Sequence, residues 1–121
     1  MPLTKKHLGI FERECRRLQK TWGLNTWTLF VRWGDGKDST IGALQGSNIT
    51  NRKLFVYLNP DVEMSGAPIT DKVIRDFARH EMLHCVLEPL STIAASRYIS
   101  DEERDAAEHE VLESLNRLLP R

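Results

Sequence analysis

A chain of 121 residues is long enough for one hydrophobic core and too short for two, so residues 1–121 are expected to form a single domain. At 40% hydrophobic and 28% charged residues it has the make-up of a water-soluble globular protein. Its 17 basic side chains balance 17 acidic ones, which argues against a nucleic-acid binder that works by charge alone, and no apolar run is long enough to span a membrane.

From about Thr4 to Lys20 the spacing predicts a helix. Leu8, Phe11, Cys15, Leu18 and Trp22 recur at steps of three and four, giving one apolar stripe, with basic residues on the other face and Gly23 at the end. His7, near the start, is read as exposed and uninvolved. Trp27 to Trp33 alternates in the manner of a strand, with Trp27, Leu29, Val31 and Trp33 on one face. Gly34-Asp35-Gly36 signals a turn. A second strand is expected from about Thr40 to Ile49, weakened by Gly42 and Gly46. A third runs from Lys53 to Leu58 and ends at Asn59-Pro60. Asp61 to Pro68 reads as a loop.

The next helix is expected from about Asp71 to Leu87, with Thr70 as N-cap and Pro89 ending it. Its first half has a charged back (Lys72, Arg75, Asp76, Arg79). Its second half is apolar nearly all round, which predicts burial. Pro89 to Ser100 reads as a connection. Ser100, with Glu103 three positions on, forms a capping-box pattern for a last helix from about Asp101 to Leu119, whose apolar face is Val111, Leu112, Leu115, Leu118 and Leu119. Acidic residues crowd that helix as basic ones crowd the first; both are read as solvated faces. Cys15 and Cys85 fall on apolar faces and are read as small buried residues of a reduced, cytoplasmic protein without a signal peptide.

The sharpest signal is His80-Glu81-Met82-Leu83-His84, an H-E-x-x-H pattern on a helix. Residues four apart sit one above the other on a helix face, so both imidazoles can reach one metal ion. Glu81 points beside that ion, where it can take a proton without being a ligand. Cys85 is turned about 100° from His84 and is not placed to share the metal. A catalytic zinc usually has three protein ligands and one open position. In the last helix Glu108 aligns with Val111, Leu112 and Leu115 on the inward stripe, which makes it the expected third ligand. His109, turned about 100° away, is the alternative. An ion pair with Arg104, four residues earlier, would account for Glu108 without any metal.

A backing helix, a small sheet, an H-E-x-x-H helix and a further helix carrying a glutamate resemble the gluzincin class of zinc metallopeptidases. The likeness is greatest to its shortest members, the minigluzincins, and to small phage-type proteins of the same layout. The resemblance implies an α+β, minimal zincin-like fold: N-terminal helix, three-stranded mostly antiparallel sheet, H-E-x-x-H helix, C-terminal helix. It implies a zinc-dependent peptidase acting on a peptide or protein substrate, with zinc on His80, His84 and Glu108, and Glu81 activating the zinc-bound water. It also implies an edge strand between Trp27 and Leu58 that aligns an extended substrate. Tyr98 and His109 are the residues available as a second oxyanion stabiliser. The rival expectation is a metal-stabilised interaction or regulatory domain of phage or mobile-element type, with little or latent activity.

Overall fold

The apolar stripe of the first helix forms one wall of the core. In the computed structural model, which describes residues 2–38, 41–48, 51–64, 67–94 and 100–119, helix α1 (Lys5–Thr21) buries Ile10, Phe11, Cys15 and Leu18. Its end is a Schellman motif. Gly23, at φ 72°, lets its own N–H reach the carbonyl of Lys20 at 3.3 Å, and the N–H of Leu24 reach that of Gln19 at 2.8 Å. At the start, His7 is half-buried and its Nδ1 accepts from the backbone N–H of Thr4 at 3.0 Å, so it closes the helix rather than standing idle.

Strands β1 (Thr28–Trp33), β2 (Ala43–Asn48) and β3 (Lys53–Leu58) form one sheet in the order β1-β3-β2. β3 is parallel to β1 and antiparallel to β2, so the sheet is mixed, where a mostly antiparallel one was expected. Composition explains which strand is central. β3 reads Lys-Leu-Phe-Val-Tyr-Leu and is apolar on both faces, whereas β2 carries Gln45, Gly46, Ser47 and Asn48 and suits an edge. The chain therefore leaves β1, crosses the end of β3 and returns through β2. Asn59 secures this crossing: its buried amide donates to the carbonyls of Asp38 and Ile41, both at 2.7 Å, while its backbone N–H donates to Gly42 at 2.9 Å.

Helix α2 (Asp71–Ala94) packs over the sheet and against α1, and Leu54, Val56, Leu58, Ile74, Ala78 and Met82 are fully buried with Phe11, Cys15 and Leu18. Each of the leucine, isoleucine, valine, methionine and phenylalanine side chains among them contributes roughly 1.5–3 kcal/mol by leaving water. The helix does not stop at Pro89 but runs on to Ala94. A proline forfeits one backbone hydrogen bond and crowds the preceding turn, yet the residues that follow, Leu90 to Ala94, include no glycine or further proline, so helical bonding continues beyond it. Helix α3 (Asp101–Leu118) starts as expected, with Ser100 Oγ accepting from the N–H of Glu103 at 3.1 Å. It docks on α2 through a small cluster of Leu83, Leu87 and Leu112, joined by Leu115 and Leu119. Val111, placed on the apolar face by its spacing, is 43% exposed instead; the side chain of Leu118 lies outside the described residues. No helix among the described residues is long and apolar enough to cross a membrane.

Candidate metal centre

Two turns of α2 supply the heart of the site. His80 and His84, four residues apart, face each other with their Nε2 atoms 3.2 Å apart. Two nitrogens bound to one tetrahedral ion at ~2.0–2.1 Å would stand ~3.3 Å apart, so this pair already has the required spacing. The third member comes from α3. One ligand atom each from His80, His84 and His109 lie within 4.8 Å of one another, with ring centroids 5.1 Å apart for His84 and His109 and 6.1 Å for His80 and His109. The three imidazoles thus form a group that could hold a metal ion. Three imidazole nitrogens suit zinc, and also copper, nickel or iron.

Glu108 was the expected third ligand, and the structure gives it a different neighbour. Its Oε1 lies 3.0 Å from Nδ1 of His84, the ring nitrogen that does not face His80, and both side chains are only 12% exposed. Its inward direction matches the helical spacing. His109, on the flank of α3 and exposed, nonetheless brings its ring to the other two, with its Nδ1 2.8 Å from the carbonyl of Asp105. Tyr98 lies outside the described residues.

Glu81, between the two histidines in sequence, is 7% exposed. It lines a cavity of about 510 Å³ with Ile41, Gly42, Ala43, Phe77 and His80, between the start of β2 and the first half of α2. Burial pushes its carboxyl up to about 7. His80 is shifted the opposite way, its pKa lowered first by burial and then by the neighbouring His84 and His109, with Glu113 opposing. Both shifts favour neutral groups near pH 7, and a neutral imidazole is the form that binds metal. Cys85 belongs to the core: it is buried, and its thiol is pushed up to about 12 chiefly by that burial.

Two supports of the site carry no strong sequence signal. Arg79, placed on the charged back of the helix by its pattern, is 4% exposed. Its guanidinium donates to the side chain and carbonyl of Asn116 and to the carbonyl of Leu119, and it lies 5.1 Å over the ring of Trp22. A cation on the last carbonyls of α3 suits that helix end and locks it to the turn that carries His80. Gly42 is the other: a Cβ there would meet the Phe77 ring at 2.6 Å, so only glycine lets the start of β2 approach α2 this closely. The glycine that weakened the strand pattern was itself the available clue.

No family model, no curated protein and no solved structure matches the chain.

Proposed function

We propose that this protein is a zinc-dependent hydrolase of peptide bonds, with the metal held by His80, His84 and His109 and with Glu81 as general base. The observation that carries the reading is the pairing of a three-imidazole group with a buried carboxylate that opens onto the adjoining cavity. A bound zinc ion would supply Lewis-acid polarisation of a carbonyl and a more acidic water. The chain's residues supply the rest. Glu81, with a pKa of about 7, is divided between its two protonation states at neutral pH, the condition in which a carboxylate both takes a proton and returns it to a leaving amine. Phe77, Ile41 and Ala43 give one side of the cavity an apolar surface, and Asp76, Arg79 and Asn116 give it polar groups as well. What favours a peptide over a small ester is β2. Among the described residues it pairs only with β3, and its first residue borders the cavity, so an extended chain could add to its outer edge. The other outer strand is guarded, since Arg16 donates to the carbonyl of Leu29 in β1 at 3.4 Å.

A second reading, a metal-stabilised regulatory domain, is favoured by the division of the imidazoles between α2 and the lightly packed α3. Glu81 separates the two. Glu81→Gln keeps the shape and removes the base. Assayed against a broad peptide library, it should retain zinc and lose hydrolysis by ~10²–10⁴-fold. Hydrolysis undiminished in Glu81→Gln excludes the mechanism, and zinc binding without hydrolysis in either protein favours the second reading.

A further inference from the structure

We infer that Glu108 is a positioning residue that fixes the ring of His84, and that the third donor of the metal centre is His109. This rests on the metal-centre reading above and deepens it. A neutral imidazole carries one N–H and one lone pair, and the partner of one nitrogen decides which is which. A carboxylate only accepts, so Glu108 Oε1, 3.0 Å from Nδ1 of His84, holds the proton on Nδ1 and leaves the lone pair on Nε2. That is the nitrogen facing His80 at 3.2 Å. A carbonyl also only accepts, so Asp105 O, 2.8 Å from Nδ1 of His109, leaves the lone pair of that ring on Nε2 as well. Two rings on two helices are thus set in the same tautomer by acceptors that both belong to α3. The Glu108 oxygen on Nδ1 lies across the ring from Nε2 and is not placed to reach an ion bound there. The donor set is three neutral imidazoles, which keeps the full double charge on the ion, while the outer carboxylate raises the basicity of His84.

The test is zinc affinity, by competition with a chromophoric chelator, together with zinc X-ray absorption on the wild-type chain and on Glu108→Ala, Glu108→Gln and His109→Ala. Glu108→Ala should bind one zinc about 10–100-fold more weakly, with the first shell still containing three imidazoles. Glu108→Gln should recover part of the loss, because its amide oxygen still accepts from Nδ1–H. It also decides the matter should the alanine variant fail to fold. His109→Ala should lose one imidazole from the first shell and more affinity than either. The inference is overturned by a first shell of two imidazoles and a carboxylate in the wild type, or by a Glu108→Ala loss larger than that of His109→Ala. Absence of any zinc binding by the wild-type chain would instead overturn the metal-centre reading itself.

Discussion

The body formed by α1, the sheet and α2 and the helix α3 are held by different means. In the body, Phe11, Leu18, Leu54, Leu58, Ile74 and Met82 are all at 0% exposure in one shared core. On α3, Leu112 is the one side chain buried to the same degree among the described residues; the partly buried Leu115 and Leu119, the Arg79 clamp and the contact of Glu108 with His84 add to its fastening. The proposed metal ligands straddle this difference. His80 and His84 stand on the rigid side and His109 on the lightly fastened side, so metal affinity and the docking of α3 must be coupled: whatever loosens one loosens the other.

Cavity-forming substitutions should expose that difference most strongly. Leu54→Ala, in the shared core, should cost about 2–5 kcal/mol of global stability in chemical denaturation. Leu112→Ala removes the same atoms, yet its main effect should be on α3. Amide hydrogen exchange should rise across 101–118 while the sheet stays protected, and zinc affinity should fall. Equal loss of protection in the sheet for both variants would show that α3 is an integral part of one cooperative unit.

A somewhat smaller effect is expected from pH in the metal-free protein. The folded-state pKa of Glu81 is raised from 4.5 to about 7, so its contribution is most favourable below pH 4.5 and is lost as pH rises through 7. His80 has the opposite sign: its lowered pKa gives a contribution that is present above 6.5 and lost as pH falls. Glu81→Gln removes the first of these. Melting with chelator present should therefore show the variant gaining on the wild type by up to about 3 kcal/mol between pH 4.5 and pH 8. A difference that does not change with pH would mean that Glu81 is solvated rather than buried.

Arg79→Ala should act at the joint. It leaves the carbonyls of Asn116 and Leu119 without their cationic donor and costs about 1–3 kcal/mol. Zinc affinity should fall with it although the H-E-x-x-H residues are untouched. Affinity unchanged in a variant that still folds would show that α3 docks without the clamp.

The local features of this fold could be read from the sequence where a single element decides them. The stripe on α1, the caps at Gly23 and Ser100, and the alternation in β1 and β3 depend on near neighbours only. The order of the strands was less accessible, because alternation marks a strand without naming its partner; the apolar run of β3 against the polar β2 was the usable hint. The burial of Arg79 was not legible from the helix alone, because it is created by a helix end that arrives from 37 residues away. The three-histidine group shows the same limit. Spacing four apart was enough to bring His80 and His84 together, and the helical wheel correctly turned Glu108 inward. A wheel gives direction only, however, and the reach of His109 across the gap depends on how α3 is set down on α2.

The most direct test of the account is zinc content after equilibration with limiting free metal, measured by elemental analysis on the wild-type chain and on His80→Ala, His84→Ala and the double variant. One zinc per chain in the wild type is expected, sharply reduced in each single substitution and absent from the double. A wild-type chain that takes up no zinc, or a double variant that keeps a full equivalent, would contradict the metal centre on which everything else here depends.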